Sequence, residues 1–465
     1  MDKFCYSSGM ERKDEIAIIG FGLEGRAVLD YLIKHNYPNV TVCDMNMDIE
    51  EEMPDGVSVR FGPDEYLKNL MDFDVIFRSP GVKFLEPAIQ TAINEGVYVT
   101  SCTDFFMDQC VCPVIGVTGT KGKGTTCTLI YEILKKAGKK VYLGGNIGNP
   151  SIELLDKLKG DNLVVLEMSS FQLQDLRKSP HYAVVLNTTT DHLDYHVDRD
   201  EYLAAKEALL INQNAEGVAV FNRDYEYVKY YEGLVKGAVR EVSVEEEVND
   251  GAYTKDNEIW YSSDGKAEKI MKVSDIALIG SHNLENVMPA VVIAKELGVA
   301  SKDIVAAVKN FTGLPYRLEL VREVAGVKYY NDSFSTTSET SMAAVDSFDE
   351  PTVLIAGGFD KGLDYGQWAV KILTKPSLKT VILVGDTADK MEDEIVEAEE
   401  KLGSAEGSPT KVLRRDDLEE AVLEAYTEAS DGWVVVMSPA ASSFDQFASY
   451  KERGEKFIEI VKQLR

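Results

Sequence analysis

The sequence has 465 residues, which predicts two or three domains because one hydrophobic core stops growing near roughly 250–300 residues. An apolar fraction of 45% and a charged fraction of 27% exclude wholesale disorder and a fibrous chain. The net charge of −29 makes the surface acidic, so we expect no nucleic-acid partner and no anionic membrane partner.

Six cysteines are too few for a disulfide scaffold. Cys110 and Cys112 lie one residue apart, but no matching cluster follows them, which argues against a metal site there. Residues 1–12 contain charges and no apolar core of a signal peptide, and no apolar stretch approaches the ~18 residues of a membrane helix. We therefore expect a soluble, reduced, cytoplasmic protein with no membrane insertion.

The first part of the chain alternates short apolar runs with helical spacing. Strands are predicted at residues 16–19, 39–43, 75–77 and 97–100, with a helix at 26–34. This βαβα rhythm indicates a parallel sheet with helices on its faces.

A second series of the same kind follows, and it is longer. Strands are predicted at residues 114–117, 140–143, 163–166, 183–186 and 218–221, and helices at 125–137, 283–297 and 304–311. A polar, acidic region at 241–272 is interpreted as a β-meander or a loop.

A third series predicts strands at residues 327–330, 352–356, 380–384 and 433–437, each followed by a helical stretch. The predicted fold class is therefore α/β with three consecutive domains. These are a Rossmann-like domain at 1–111, a central P-loop ATPase-type parallel-sheet domain at 112–314, and a C-terminal Rossmann-like domain at 315–465.

Residues 20–25, with the sequence GFGLEG, form the first candidate phosphate loop. The loop follows a predicted strand and opens a helix, and Asp44 ends the next strand, which is the context of a dinucleotide-binding fingerprint. A helix N-terminus supplies N–H donors to a pyrophosphate. The alternative is a tight turn without a ligand, and Glu24 favours it because a carboxylate repels a pyrophosphate.

Residues 116–126, with the sequence GVTGTKGKGTT, form a second and more specific loop between a strand and a helix. Successive backbone N–H groups form an anion-binding nest, and Lys123 can neutralise the β- and γ-phosphate oxygens. Thr125 or Thr126 can offer a hydroxyl to Mg²⁺. The central domain is therefore predicted to bind a nucleoside triphosphate.

The P-loop and seven further motifs resemble the Mur ligase family over essentially the whole chain. The motifs are GGNIG at 144–148, LEMSSFQL at 166–173, residues 187–194, YLAAK at 202–206, HNLEN at 282–286, GLPYR at 313–317 and SPAASSFDQF at 438–447. The resemblance implies an ATP-dependent amide ligase that works through an acyl phosphate in peptidoglycan precursor synthesis. Within the family, the motifs are most similar to members that add D-glutamate to UDP-N-acetylmuramoyl-L-alanine.

The resemblance implies a set of residues for ATP and two Mg²⁺ ions. The ATP set is Gly119, Thr120, Lys121, Gly122, Lys123, Gly124, Thr125, Thr126, Asn283, Asn286, Arg317 and Asp332. The implied metal ligands are Thr125, Glu167, His192 and Lys206, and the implied catalytic residues are Lys123, Glu167, His192 and Lys206. The matching family lysine is carbamylated by CO₂, whereas the sequence alone predicts that Lys206 is an exposed helix lysine.

The resemblance also implies two substrate sites. The precursor set is Gly22, Leu23, Glu24, Asp44, Ser79, Gly81, Asn146, Ser169, Gln172 and His192. The amino-acid set is Thr336, Lys361, Ser443 and Tyr450. The implied partners are therefore small molecules, namely the UDP-precursor, glutamate and ATP, and the chain is expected to be a monomer.

The chain departs from the family pattern at three places. Lys121 and Gly124 replace the usual asparagine and hydroxyl residue of the P-loop, which shifts the expected Mg²⁺ contact to Thr125. Phe334 replaces a lysine, and Glu24 replaces a threonine-like residue. These departures leave L-glutamate, or another acidic amino acid, open as the substrate.

Three further alternatives remain open from the sequence. A folylpolyglutamate-synthase-like ligase has a similar Gly-Lys-Gly loop, but it would not need the first Rossmann-like domain. An NAD-binding protein would use residues 20–25 and bind NADH without ATP turnover. A scaffold without catalysis would show no ATPase activity that the loss of Lys123 could remove.

Overall fold

The computed structural model describes residues 10–147, 149–188, 195–280, 282–402 and 410–465. Two compact units are present. The first contains the described residues up to Asp275 together with Leu284–Lys309, and the second contains Ile276–Asn283 and Asn310–Arg465. No helix in the described ranges is long and apolar enough to cross a membrane.

The first sheet of the first unit is wholly parallel, with strand order β3-β2-β1-β4-β5. Its strands are β1 (Ile16–Ile19), β2 (Val40–Asp44), β3 (Ser58–Phe61), β4 (Val75–Arg78) and β5 (Tyr98–Thr100). Its helices are α1 (Leu23–Lys34), α2 (Pro87–Asn94) and α3 (Cys102–Gln109). Strand β1 is fully buried, as expected for a parallel strand covered on both faces.

The second sheet has the order β14-β13-β12-β11-β10-β9-β6-β8-β7 among the described residues. Its strands are β6 (Val114–Thr118), β7 (Val141–Gly145), β8 (Leu163–Glu167), β9 (Tyr182–Val185), β10 (Val218–Asn222), β11 (Ala238–Ser243), β12 (Gly251–Lys255), β13 (Glu258–Ser263) and β14 (Lys266–Lys272). The helices are α4 (Lys123–Lys136), α5 (Ser170–Leu173), α6 (Arg199–Glu207), α7 (Val228–Glu232), α8 (Asn283–Glu296) and α9 (Ser301–Asn310). Strands β6 and β8 are neighbours, so their carboxyl ends share one edge.

The third sheet lies in the second unit, with the order β15-β16-β20-β17-β18-β19. Its strands are β15 (Glu319–Val324), β16 (Val327–Asn331), β17 (Thr352–Gly357), β18 (Leu378–Val384), β19 (Lys411–Arg414) and β20 (Val434–Met437). The helices are α10 (Ser338–Asp346), α11 (Gly366–Thr374), α12 (Ala388–Leu402), α13 (Leu418–Glu428) and α14 (Tyr450–Gln463). Only the β15–β16 pair in this part of the described chain is antiparallel.

The α/β class and the three parallel-sheet domains predicted from the sequence are confirmed. The acidic region 241–272 contributes to four strands, of which β12 to β14 form an antiparallel meander. Strands β3, β15 and β19 lack a predicted counterpart. All three are edge strands with partly exposed residues, so they carry no apolar run that would identify them.

Candidate functional site

The first glycine loop is closely packed against the end of β4. A Cβ on Gly25 would lie 2.2 Å from the Gly20 carbonyl oxygen, so only glycine allows this approach. The Ser79 hydroxyl donates a hydrogen bond to the same carbonyl. Gly22 and Gly81, by contrast, face open space, which leaves room for a ligand beside the N-terminus of α1.

Two backbone N–H groups of this region donate hydrogen bonds to the Asp44 carboxylate. Its Oδ2 accepts a hydrogen bond from the Phe21 N–H at 2.6 Å, and its Oδ1 accepts from the Asn46 N–H at 2.8 Å. Asp44 therefore fixes the conformation of the loop that begins after β1. Its expected contact with the nucleotide precursor stays a prediction.

Glu24 connects this loop to the segment after β8. Its Oε1 accepts a hydrogen bond from the Gln172 side-chain amide. Gln172 and Ser169 form a capping box, in which Ser169 N–H donates to Gln172 Oε1 at 2.9 Å. Three residues of the predicted precursor set thus lie together. Burial raises the pKa of Glu24 from its ordinary value to about 7.

The P-loop begins α4 at the carboxyl end of β6. The Lys123 ammonium donates to the carbonyl oxygens of Gly119 and Thr120, both at 2.9 Å. These bonds fold the lysine side chain back over its own loop. The strand–loop–helix context is the one expected of a phosphate-binding loop.

Gly122 is the residue before α4, and it has φ +84°. A Cβ at this position would lie 2.1 Å from the Asn286 side-chain oxygen, so glycine is required on both grounds. The Thr126 hydroxyl donates to the Asn286 carbonyl at 3.3 Å. Asn286 on α8 is therefore brought to the P-loop, as its predicted role in ATP binding requires.

The remaining P-loop residues differ in exposure. Lys121 is exposed, Gly124 is buried within the first turn of α4, and Thr125 is half-buried. Thr125 thus lies in the same first turn as the lysine it is expected to assist.

Lys206 is almost fully buried, at 1% exposure, so the prediction of an exposed helix lysine is wrong. Its ammonium lies 4.3 Å from the centroid of the Tyr202 ring. The Tyr202 hydroxyl is in turn 2.9 Å from the Thr120 hydroxyl of the P-loop. The hydroxyl contact holds helix α6 against the P-loop. Lys206 lies one helical turn after Tyr202, on the same face of the helix, and it is buried beside the Tyr202 ring.

Glu167 ends β8, the strand next to the P-loop strand, and it is 6% exposed. Its Oε1 accepts a hydrogen bond from the Asn146 side-chain amide at 2.8 Å. Asn146 belongs to the predicted precursor set and Glu167 to the predicted metal set. The sheet edge therefore brings the two sets into contact.

His192, with its neighbours Asp191 and Asp194, lies outside the described residues. Among the described residues, no group of three or more His, Cys, Asp or Glu side chains is arranged to hold a metal. Glu167 and Thr125 supply oxygen ligands, which suit Mg²⁺. Magnesium sites of this class use one or two carboxylates together with substrate phosphates, so the residues present fit an ion that binds with ATP.

In the second unit, the Arg317 guanidinium lies 3.6 Å from the centroid of the Phe334 ring. Asp332 is buried and accepts hydrogen bonds from the Ser438 hydroxyl at 2.7 Å and the Leu318 N–H at 3.1 Å. Burial raises the pKa of Asp332 to about 6. Asp332 therefore fixes the turn next to Arg317 at the start of the domain.

Asn283 is nearly buried at the start of α8. Its side-chain amide donates to the Ile279 carbonyl at 2.6 Å. This local bond orders the approach to the helix. The contact between Asn283 and the adenine of ATP stays a prediction.

Two loops of the predicted amino-acid site are joined by backbone pairing. The Phe359 N–H donates to the Ser442 carbonyl at 2.9 Å, next to buried Ser443. The exposed Lys361 ammonium lies 5.3 Å from the centroid of the Phe444 ring. Lys361 and Ser443 are thus held on adjacent loops, at the carboxyl ends of β17 and β20.

Arg453, which sequence reasoning missed, joins the loop that contains Ala441 and Ser442 to the loop that contains Ser333. Its guanidinium is buried and donates to the carbonyls of Ser333, Ala441 and Ser442, each at 3.0 Å. The Ser333 hydroxyl donates in turn to the Tyr450 carbonyl at 2.8 Å. Thr336, three residues after Ser333, is half-buried. The one available signal in the sequence is the helical spacing, which places Arg453 on the apolar face of the amphipathic helix α14.

Sequence reasoning also missed His196, which is buried close to α5 and α6. Its ring nitrogens contact the Ser170 hydroxyl and the Glu201 carboxylate. The Phe171 ring stacks on it at 5.4 Å between centroids. His196 therefore links α5, which carries Gln172, to α6, which carries Lys206.

Three family models match consecutive parts of the chain. The Mur ligase MurD-like N-terminal domain matches residues 14–101, the Mur ligase middle domain matches 117–294, and the Mur ligase glutamate ligase domain matches 316–441. Each matched range contains all or nearly all of the strand residues of one of the three sheets.

Curated relatives align over nearly the full length. The UDP-N-acetylmuramoylalanine–D-glutamate ligase of Acetivibrio thermocellus is 38% identical, with 97% of each chain covered. The proteins of the same name from Clostridium botulinum and Clostridium tetani are 36% and 35% identical, covering 97% and 99% of this chain and 97% and 98% of their own.

Solved structures share the fold at low sequence identity. UDP-N-acetylmuramate-alanine ligase from Thermotoga maritima superposes with a TM-score of 0.57 at 19% identity, covering 97% of this chain and 99% of its own. MurF ligase from the same organism, solved with ADP, gives 0.57 at 17% identity, covering 96% and 93%. The family models, the identities above 30% and the glycine-loop geometry agree: this chain belongs to the Mur ligase family.

Proposed function

We propose that the chain adds D-glutamate to UDP-N-acetylmuramoyl-L-alanine at the expense of ATP. The observation that carries this proposal is the arrangement around the P-loop, where Glu167 ends the neighbouring strand and buried Lys206 lies on the helix bonded to Thr120. The name shared by full-length relatives supports the choice of substrates.

The proposal gives each domain its own ligand. Residues 1–111 bind the nucleotide precursor, residues 112–314 bind ATP, and residues 315–465 bind the amino acid. Because ATP and UDP-linked precursors are cytoplasmic metabolites, the proposed location of the protein is the cytoplasm. Each proposed site is assigned to residues of one chain, which is what a monomeric enzyme requires.

In the first step, the alanine carboxylate of the precursor attacks the γ-phosphorus of ATP. The bond from the γ-phosphorus to the bridging oxygen breaks, ADP leaves, and an acyl phosphate forms. A carboxylate does not react with amines at neutral pH, so this phosphoryl group supplies the leaving group. Lys123 turns from the carbonyls of Gly119 and Thr120 to the phosphate oxygens, where its charge stabilises the transition state.

In the second step, the glutamate amine attacks the acyl carbon, loses a proton, and expels inorganic phosphate. Lys361 is a cation at the expected amino-acid site, and it binds a glutamate carboxylate. Arg453 holds the loops of Ser443 and Ser333 in place by its three carbonyl contacts. Such positioning contributes much of the rate of a bimolecular reaction.

Magnesium, when bound with ATP, neutralises the phosphate charge and polarises the γ-phosphorus. Thr125, Glu167, His192 and Lys206 are the residues that would hold two ions. Lys206 can contribute an oxygen ligand only as a carbamate, which forms when its neutral amine adds to CO₂ and releases a proton.

The experiment measures phosphate release from ATP with the purified full chain. The proposal requires release that depends on both the UDP-precursor and glutamate. Release with neither substrate, or with a dihydrofolate-type acceptor in place of the precursor, would contradict it. NADH binding without ATP turnover would favour the dinucleotide-binding alternative.

The amino acid itself is tested by a screen with the UDP-precursor fixed. D-glutamate is expected to support the fastest turnover, with L-glutamate and the two aspartates as comparison substrates. Preference for L-glutamate would assign the chain to a sibling ligase, and it would point to the Phe334 departure as a cause.

A further inference from the structure

Phe334 packs on side chains of two different candidate sites of the second unit. The guanidinium of Arg317, a residue of the predicted ATP set, lies 3.6 Å from the centroid of the Phe334 ring. The ring of Tyr450, a residue of the predicted amino-acid set, meets the Phe334 ring edge to face, with 5.0 Å between centroids and an interplanar angle of 87°. One side chain therefore contacts a residue of each site.

Hydrogen bonds at two adjacent residues fix the position of this ring. The Phe334 N–H donates to the Tyr316 carbonyl at 3.0 Å, which ties it to the loop that carries Arg317. The Ser333 hydroxyl donates to the Tyr450 carbonyl at 2.8 Å, at the first residue of α14. The ring is thus bonded through its backbone to both of the elements that its face and edge contact.

The loop that carries Arg317 is itself held against α14 in an uncommon backbone conformation. Tyr316 and Leu318 have φ +63° and +45°, in the left-handed region that residues other than glycine rarely adopt. The Tyr316 ring lies against Gly454, where a Cβ would come within 2.4 Å of it, and it meets the Tyr450 ring at 6.1 Å between centroids. Such a conformation persists only where its surroundings hold it, so the direction of Arg317 depends on this aromatic cluster.

An aromatic side chain suits both contacts of Phe334 at once. The face of a ring attracts a cation, and two rings at a right angle attract each other through the edge of one and the face of the other. A leucine would occupy much of the same space and supply neither contact. The lysine that is usual in the family pattern would place a second cation beside Arg317.

We propose that Phe334 is a positioning residue that orients the Arg317 guanidinium and the Tyr450 ring together, and so acts on the binding of both ATP and the amino acid. This inference rests on the function proposed above, and it adds a residue that serves two substrate sites of one unit. Phe334 does not act on the reacting atoms, so its effect is on binding rather than on the chemical step.

The test measures kcat and the KM for each substrate with the full chain. In Phe334→Leu, the KM for ATP should rise about twofold to fivefold and the KM for glutamate about twofold to tenfold, with kcat within about twofold of wild type. Phe334→Ile, a second variant without a ring, should match it. Phe334→Tyr keeps the ring and should retain both wild-type KM values. A loss of stability alone would instead lower kcat through the active fraction and leave every KM unchanged.

A double-mutant cycle resolves the two contacts. In a Tyr450→Leu background, Phe334→Leu should no longer change the KM for glutamate, but it should still raise the KM for ATP through Arg317. Tyr426→Leu is the matched control, because Tyr426 belongs to the same unit and is 37% exposed, as Phe334 is. It should change neither KM.

The outcomes separate this inference from the proposed function. An unchanged KM for either ATP or glutamate in Phe334→Leu, an equal rise in Tyr426→Leu, or additive effects of Phe334→Leu and Tyr450→Leu on the KM for glutamate would overturn the role of Phe334 and leave the ligase assignment intact. A wild-type chain whose ATP turnover requires neither the UDP-precursor nor glutamate would overturn the proposed function, and this inference with it.

Discussion

Arg78 and Asp175 form an ion pair that is almost completely removed from solvent, with Nη2 2.7 Å from Oδ2 and side-chain exposures of 0% and 3%. Arg78 ends β4 of the first sheet, and Asp175 follows α5 beside the second sheet. Arg78 also donates to the carbonyls of Val82 and Phe171, and Ser101 donates to Asp175. This network joins the first and second sheets within one compact unit.

Breaking this pair from one side should strongly destabilise the protein. Asp175→Asn and Arg78→Met should each lower the free energy of unfolding by about 3–5 kcal/mol, because each leaves a buried group uncompensated. The double variant should be clearly less unstable than the sum of the two. Urea unfolding of the three proteins measures this, and strict additivity would mean that the pair is not coupled.

Loss of the P-loop lysine should abolish ATP use while leaving the fold intact. Lys123→Ala removes the cation at the phosphates, and turnover should fall by about 100-fold or more, as when one transition-state donor is removed. Lys139→Ala, an exposed lysine just beyond α4, is the control and should keep full activity. Unchanged turnover in Lys123→Ala would contradict the role of this loop.

Glu24 should make stability depend on pH even without substrate. Its folded-state pKa, about 7, is above the ordinary value of 4.5. The folded protein therefore binds the proton more tightly than the unfolded chain, and stability falls as pH rises from about 4.5 to 7. Glu24→Gln removes this loss, so its advantage over wild type should be absent near pH 4.5 and reach at most about 3 kcal/mol above pH 7. Chemical denaturation at several pH values measures the difference, and a constant difference would contradict it.

Arg453 should act on the amino-acid site through the loops it holds. Arg453→Met leaves buried carbonyls of Ser333, Ala441 and Ser442 unpaired, which should cost about 3 kcal/mol of stability. The KM for glutamate should rise at least about tenfold, as expected when a substrate is misplaced, with a smaller change in the KM for ATP. Arg453→Lys should rescue part of the loss. Arg322→Met, an exposed arginine that contacts the end of α14, is the control, and an equal effect there would contradict the prediction.

Phe334 should support Arg317 through its ring. Replacement by lysine puts a second cation next to the guanidinium and removes a cation–π contact worth about 0.5–1 kcal/mol. The KM for ATP should therefore rise about twofold to fivefold in Phe334→Lys and stay near wild type in Phe334→Tyr. Improved ATP binding by the lysine variant would instead mean that the departure from the family pattern weakens the site.

The two glycine loops could be predicted because they follow local rules. Glycines, Lys123 and hydroxyl residues at fixed spacing between a strand and a helix identify the P-loop, and buried β-branched runs identify the central strands. The edge strands β3 and β19 could not be predicted in this way, because their partly exposed side chains leave no apolar signal. The net acidic composition carries no comparable information about binding, because the cations predicted to bind anionic substrates, Lys123, Arg317 and Lys361, are single local residues.

The sequence by itself determined the α/β class, the three domains, the P-loop and most residues of the candidate sites, because these depend on hydrophobic periodicity and on motifs of fixed spacing. Tertiary structure alone decided what the polar residues contact. Lys206 is buried because Tyr202, one turn earlier, bonds Thr120, and Glu24 is enclosed because Gln172, 148 residues away, donates to it. Burial and partners far apart in the chain control the pKa values and orientations of such groups, and no local pattern encodes them.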